Sequence, residues 1–313
     1  MKIRVDRREV LVGAAALACC GPTLMAGESG VGARAMAGAA KSETAPTSAS
    51  GHDGAARQLA ALEKREGGRL GVEALDTATG RRLQHRSDER FGMCSVFKFI
   101  AAAAILKRVD QGTEHLERRI EYSAGDLLEY APVTREHVGA GGLTLGELCA
   151  AAVQWSDNTA ANLMLKVLGG PEVVTTFIRS TGDQITRLNR IEPDLNVVHP
   201  GDLDDTTTAT SMVGLLNSIV LGNALSADSR TRLQGWMLNA KVGAHRLPAG
   251  LPNGWRIAHK TGTWSDQTND VGIIWPPDGA PIIVAALYSR GGTRPQQREG
   301  VLRDVGRIVA AGF

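Results

Sequence analysis

From Phe97 to Val109 the chain is apolar on nearly every helical face: Phe97, Phe99, Ile100, four alanines at 101–104, Ile105, Leu106 and Val109. A helix with that pattern has to be buried, because no polar stripe is left to face water. Elsewhere the pattern is more ordinary. Residues 143–153, 159–168, 171–180, 211–221 and 227–238 carry apolar positions three and four apart, which predicts five amphipathic helices. Gly169-Gly170-Pro171 stops one of them and restarts the next. Ahead of the buried run, residues 55–66 have Leu59 and Leu62 at helical spacing. Residues 69–76 alternate through Leu70, Val72 and Ala74 into the turn Thr77-Ala78-Thr79-Gly80, which predicts a β-hairpin. Past Leu238 the period returns to two. Residues 255–259, 270–275 and 282–288 read as strands, and 296–311 closes the chain as a helix.

Strands therefore lie at both ends and helices in the middle. This predicts an α/β domain assembled from both chain ends, with an all-helical domain inserted between them. The expected boundaries are 52–86 with 238–313 for the first and 87–237 for the second. No internal repeat is visible. Between Gly182 and Thr210 neither period holds, and Asp, Pro, Asn and Gly mark a long loop; loops of that length usually carry function.

The amino terminus has a different character. Lys2, Arg4, Arg7 and Arg8 precede an apolar run at 11–18 that is too short to span a bilayer, the form of an export signal. Arg7-Arg8 resembles a twin-arginine signal. Leu24-Met25-Ala26 and Ala35-Met36-Ala37 offer small-residue cleavage sites, so 1–26 is expected to be the signal. Residues 27–51, rich in Ala, Gly, Ser and Thr without a period, are expected to be a disordered tether. The sequence around Cys19 fits a lipid-anchor site poorly. Composition adds little else: 313 residues, 43% hydrophobic, 22% charged and a net charge of +2 fit a soluble globular protein and give no case for nucleic acid. Seven histidines are scattered without ligand spacing, so neither metal nor cofactor is expected.

Four short stretches can carry chemistry. Ser95 and Lys98 stand three apart at the start of the buried helix, on one face. A desolvated amine there can lose its proton and activate the hydroxyl. The plainer alternative is an N-cap serine and a snorkelling lysine. Ser156-Asp157-Asn158 opens a helix, where it can relay a proton and hold a substrate amide, or simply cap. Glu192-Pro193-Asp194-Leu195-Asn196 lies in the long loop, where the glutamate can hold a water or merely be solvated. Lys260-Thr261-Gly262-Thr263 ends a strand with a cation and hydroxyls suited to a carboxylate.

Together, in this order, Ser-x-x-Lys, Ser-Asp-Asn, Glu-x-x-Leu-Asn and Lys-Thr-Gly resemble the motif set of the class A serine β-lactamases, over residues 55–313. The resemblance implies an antiparallel sheet flanked by helices, with the inserted helical domain of the serine β-lactamase and penicillin-binding protein fold. It implies hydrolysis of β-lactams such as penicillins and cephalosporins through a serine acyl-enzyme, by an exported, periplasmic or secreted monomer with no partner but the small molecule. By the same resemblance Ser95 is the nucleophile and Lys98 its neighbouring base. Ser156 protonates the departing ring nitrogen, and Asn158 binds the acylamide. Glu192 and Asn196 position the hydrolytic water. Lys260, Thr261 and Thr263 receive the carboxylate, supported by Arg246, with Arg294 the weaker candidate. The backbone N–H groups of Ser95 and Thr263 form the oxyanion hole, Tyr130 lines the mouth, and Arg190 pairs with Asp205 to close the long loop. A carboxypeptidase of the penicillin-binding class shares three of the motifs and lacks the glutamate; the other alternative is a penicillin-sensing domain, acylated but not turned over. Two departures stand out. Some members bridge the cysteine before the serine to one just after Lys-Thr-Gly-Thr, where this chain has Trp264. Others bridge to the position of Cys149 from a site held here by Ala102. Cys94 and Cys149 are therefore expected to be free.

Overall fold

The computed structural model describes residues 49–290 and 293–313. The expected export signal and residues 27–48 of the expected tether lie outside that range. Five strands form one antiparallel sheet: β1 (Arg69–Asp76), β2 (Arg82–His85), β3 (Arg256–Trp264), β4 (Gln267–Trp275) and β5 (Ile282–Ser289), in the order β2-β1-β5-β4-β3. The two ends of the chain meet in its middle, where β1 pairs with β5 from Arg69↔Ser289 to Asp76↔Ile282.

The pleat explains the composition of these strands. Leu70, Val72 and Ala74 of β1 and Ile282, Val284, Ala286 and Tyr288 of β5 join one core, with α1 (Ala49–Glu66) and the last helix, α8 (Pro295–Gly312). Leu75, Ile283, Ala285 and Leu287 face the other way, into a larger core with the central helices. Both faces of β5 are thus covered, which is why it reads as a continuous apolar run rather than an alternating one.

The central helices are α2 (Phe97–Asp110), α3 (Leu145–Gln154), α4 (Asn158–Leu168), α5 (Pro171–Ser180), α6 (Ala209–Leu216) and α7 (Ala227–Leu238). Every residue of α2 from Phe97 to Leu106 is buried, Lys98 included, as the pattern predicts. α3 starts in a capping box between Thr144 and Glu147, and α4 ends on left-handed Gly169 before Pro171 opens α5. α6 continues as a π-helical turn, Asn217–Leu221, where the sequence predicts an unbroken helix.

Three boundaries differ from expectation. α1 begins at Ala49, six residues early, because apolar period marks where packing starts and not where backbone hydrogen bonds start. β3 does not stop at His259: it pairs with β4 as far as Trp264↔Gln267 and so contains Lys260-Thr261-Gly262-Thr263 instead of ending there. β4 correspondingly starts at Gln267, three residues early. Polar residues at these positions hide a strand whose hydrogen bonds are made to its neighbour regardless of side chain. Among the described residues no helix is long and apolar enough to cross a membrane.

Candidate active site

Ser95 lies in a 3₁₀ turn, Cys94–Val96, immediately before α2. The turn has no side-chain cap, so the hydroxyl is not spent on the helix end. Instead Ser95 Oγ donates to Glu192 Oε1 at 3.2 Å. Lys98 Nζ reaches the same carboxylate oxygen at 3.0 Å and donates to Ser156 O at 2.8 Å and Asn158 Oδ1 at 2.5 Å. This corrects one expectation. Among the described residues no hydrogen bond joins Lys98 to Ser95; the two meet through Glu192. It also removes the snorkelling alternative, because Lys98 is fully buried. Burial lowers the Lys98 pKa, while the adjoining Glu192 carboxylate works to keep the amine charged.

At Ser156–Asn158 the capping reading holds on Asp157, and it leaves the side chains of Ser156 and Asn158 to the site. Asp157 is the N-cap of α4, accepting from Ala160 N at 2.8 Å. Its carboxylate also takes Val133 N, Thr134 N and Thr134 Oγ, and so fixes the loop after Tyr130. Ser156, at φ +61°, is free to turn its hydroxyl to Lys260 Nζ, 2.9 Å away. Lys260 is buried among cations. Burial first, then Lys98 and Arg246, hold its pKa well below the ordinary lysine value.

The long loop does not leave Glu192 in solvent. The side chain is buried, and Asn196 Nδ2 donates to Glu192 Oε2 at 2.6 Å. Asn196 Oδ1 is buried with no hydrogen-bond partner among the described residues. The loop is closed by Arg190 Nε to Asp205 Oδ2 at 2.6 Å, while Asp205 Oδ1 accepts from the amides of Asn189 and Arg190. Asp205 O in turn accepts from Met93 N at 2.9 Å, which ties the loop's end to the serine's turn.

β3 closes the other wall. A Cβ on Gly262 would lie 2.6 Å from Met93 O and 3.1 Å from Cys94 Cβ, so only glycine lets the strand run this close to the turn. Arg246 is buried and donates to Gly262 O, Asn269 O and Thr263 Oγ, with Glu299 as its ion-pair partner. Arg294 sits instead at the N-cap of α8. Tyr130 is exposed, and its carbonyl accepts from Asn158 N. Cys94 and Cys149 are both free and buried. Burial drives both thiols above their ordinary pKa.

Two amides of the site have no motif to announce them. Asn162, one turn after Asn158 on α4, donates to Glu192 O and accepts from Glu192 N, clamping that residue's backbone. Its spacing from Asn158 is the one signal in the sequence. Asn269 Nδ2 donates to Gly92 O and Met93 O and holds the approach to Ser95. Of the four non-glycine residues with positive φ among the described residues, Cys94, Ser156 and Asp205 belong to this site or its loop. Such backbones are strained by ~1–3 kcal/mol each, and the surrounding hydrogen bonds must hold them.

A serine hydroxyl on a buried carboxylate, with a desolvated lysine on the same oxygen, defines a serine hydrolase. The comparisons with known proteins make the class specific. The model of the β-lactamase enzyme family matches residues 54–313. β-Lactamase L2 of Stenotrophomonas maltophilia is 46% identical over 257 residues, 82% of this chain and 84% of that protein. β-Lactamase CTX-M-8 of Citrobacter amalonaticus is 43% identical over 258 residues, 82% of this chain and 88% of that protein. Among solved structures, an ancestral (GNCA) class A β-lactamase superposes with a TM-score of 0.81 at 53% identity, covering 83% of this chain and 100% of that one. A β-lactamase from Xanthomonas campestris gives 0.81 at 42% identity, covering 83% and 97%. The chain belongs to the class A serine β-lactamases. It is a hydrolase that opens β-lactam rings, an activity that confers antibiotic resistance.

Proposed function

We propose that the contacts above divide the reaction as follows. Ser95 Oγ adds to the lactam carbonyl carbon, and its proton passes to Glu192 Oε1. The direct Ser95–Glu192 contact supports that route, and it is the observation that carries the assignment. Lys98 on the same oxygen stabilises the carboxylate before transfer and lowers its charge imbalance after it. The ring C–N bond then breaks, and the nitrogen takes its proton from Ser156, which Lys260 holds; the proton on Glu192 returns to Ser156 by way of Lys98, which touches both residues, so Glu192 is again a carboxylate and Ser156 a hydroxyl. Charge on the carbonyl oxygen is met by the backbone N–H groups of Ser95 and Thr263, each such donor typically worth ~3–4 kcal/mol.

The second step reverses the roles. Water held between Glu192 and Asn196 attacks the ester carbon, Glu192 takes the water's proton, and Ser95 leaves with one. The unpartnered Asn196 Oδ1 beside Glu192 supports this position for the water. Asn158 receives the acylamide, with Tyr130 at the mouth. Lys260, Thr261 and Thr263 receive the carboxylate, and Arg246 adds positive charge behind them.

The reading extends to the chain as a whole. Residues 1–26 direct export to the periplasm or beyond, in the twin-arginine manner of Arg7-Arg8, and the mature protein acts as a monomer. Residues 52–86 with 238–313 form one domain and 87–237 the other, with the site on their seam. Steady-state hydrolysis of a chromogenic cephalosporin by the purified protein tests the function. Turnover that disappears in Ser95→Ala is expected; equal turnover in that variant would overturn the assignment.

A further inference from the structure

Two buried ionisable side chains beside the site take no part in the proton transfers of Ser95, Glu192 and Ser156. They are His259 on β3 and Asp270 on β4, 5% and 0% exposed. His259 Nδ1 lies 2.8 Å from Asp270 Oδ1, and Asp270 Oδ2 accepts from Leu247 N at 3.2 Å. An ionised carboxylate only accepts, so the imidazole proton sits on Nδ1. Both carboxylate oxygens are thus occupied, one by a side chain and one by the backbone of the residue that follows Arg246. A buried ion is costly unless it is paired in this way.

Alternate residues of a strand share a face. On β3, Lys260 points to Ser156 and the Cβ direction of Gly262 to Met93, so these two face the Ser95 turn. His259, Thr261 and Thr263 face the other way, with Asp270 directly across from Thr261. The pair therefore does not serve Ser95 as a base. It stands behind Lys260 and Arg246, the cations assigned to the substrate carboxylate. Gly243 to Arg246 form a turn closed by Arg246 N on Gly243 O at 3.0 Å. A Cβ on Gly243 would lie 2.3 Å from Thr261 Cγ2 and 3.2 Å from His259 Cε1, so the turn rests directly on these two side chains. The bond from Leu247 N to Asp270 anchors the far end of the same turn. Between these supports Arg246 reaches Thr263 Oγ1, 2.6 Å away. Asp270 also acts through its charge. Burial, then Lys98 and Arg246, depress the Lys260 pKa, and Glu192 and Asp270 oppose them. Glu192 changes charge during the reaction, so Asp270 is the standing counter-charge to Lys260.

We propose that His259 and Asp270 are a positioning pair: His259 orients the Asp270 carboxylate, and Asp270 holds the turn that aims Arg246 at the substrate carboxylate. This rests on the lactamase reading and adds the residues that set its carboxylate recognition. Without the imidazole donor, Asp270 Oδ1 is left buried and unpaired, a cost relieved by turning the carboxylate away from Leu247 N. The turn then loosens, and Arg246 leaves Thr263. A substrate carboxylate is held in ground state and transition state alike, so the loss falls on KM more than on kcat.

The test uses benzylpenicillin and its methyl ester, which share ring and side chain and differ in one negative charge. The ratio of their kcat/KM values is measured in the parent, His259→Asn, His259→Gln and Asp270→Asn. Asparagine at 259 puts an amide nitrogen where Nδ1 stands. Glutamine puts one where Nε2 stands and leaves Asp270 Oδ1 without a donor. Asp270→Asn has one acceptor oxygen where two are used. His259→Gln and Asp270→Asn are expected to lower the acid-to-ester ratio ~10-fold, the worth of one hydrogen bond to a charged group, mainly through KM. His259→Asn should keep most of the parent's ratio. An unchanged ratio in both His259→Gln and Asp270→Asn would overturn the proposal even with a lowered Tm, because a purely structural pair slows both substrates equally. A ratio that falls as far in His259→Asn as in His259→Gln would also overturn it. If Asp270→Asn does not fold, the two His259 variants, which keep polarity and bulk, decide alone. A parent that does not prefer the acid to the ester would overturn the carboxylate assignment and the proposal with it. Absence of turnover of both substrates by the parent would instead defeat the lactamase reading.

Discussion

Replacing Asp205 with asparagine removes a charge and keeps the shape. Asparagine also tolerates the left-handed backbone at this position, φ +58°, so the substitution isolates the ion pair. The new Oδ1 can still accept from the amides of Asn189 and Arg190, now 2.7 and 3.0 Å from the carboxylate oxygen. The new amide nitrogen, however, faces Arg190 Nε, donor against donor, where a 2.6 Å ion pair stood. Breaking a fully buried pair from one side costs ~3–5 kcal/mol. Asp205 is fully buried but the Arg190 side chain is 35% exposed and can recover water, so the expected cost is ~1–3 kcal/mol. At about 2–4 °C per kcal/mol, that is a fall in Tm of ~2–12 °C. The chemical effect follows from the loop's two duties. It carries Glu192, and its end accepts from Met93 N beside the nucleophile's turn. Penicillin turnover should therefore fall through slower deacylation, seen as a longer-lived acyl-enzyme in rapid-quench kinetics. Unchanged Tm and unchanged deacylation in Asp205→Asn would refute this account of the loop.

Two further perturbations probe other joints. Gly262→Ala puts a methyl 2.6 Å from Met93 O, so β3 must retreat from the Ser95 turn; overpacking of this kind costs ~1–3 kcal/mol. An ångström of misplacement at a reacting group is worth ~10²-fold in kcat, and a stopped assay on the purified variant checks both figures. Asp110 joins the end of α2 to the start of α7 by accepting from Ser226 N, Ser226 Oγ and Ser229 Oγ. Burial opposes its ionisation, but the Ser226 and Ser229 donors prevail and hold its pKa below the ordinary carboxylate value. Its stabilisation is thus fully present above about pH 4 and lost as pH falls through the depressed folded pKa. The Tm gap between parent and Asp110→Asn should be widest at neutral pH and shrink below about pH 3; a pH-independent gap would contradict the linkage.

The sheet, the buried helix and the four motifs were legible because each rests on a period or a residue type that chemistry restricts. Lys98 had to be buried, since its helix offers no polar face. The partner of its amine was not legible. Spacing puts Lys98 and Ser95 on one face, but the hydrogen bonds depend on where a loop 94 residues away delivers Glu192. Asn162 and Asn269 went unseen because an amide clamping a backbone needs no particular neighbours in sequence. The extension of β3 was hidden because backbone pairing, not side-chain pattern, carries Lys260 to Trp264. In Ser156-Asp157-Asn158 the cap falls on Asp157, while Ser156 meets Lys260 and Asn158 meets Lys98, a division that residue type alone does not announce.

The central claim is that Glu192 prepares the water that frees Ser95. Ser95 and Glu192 are both buried, which restricts the access of bulk water to an ester there, and a positioned general base is worth ~10²–10⁴-fold. Intact-protein mass spectrometry of Glu192→Ala mixed with benzylpenicillin tests it directly, with Ser95→Ala as the control. The expected result is a persistent adduct of one intact penicillin per chain, mapped to Ser95, and none on the control. Parent-like turnover by Glu192→Ala, with no adduct accumulating, would contradict the mechanism.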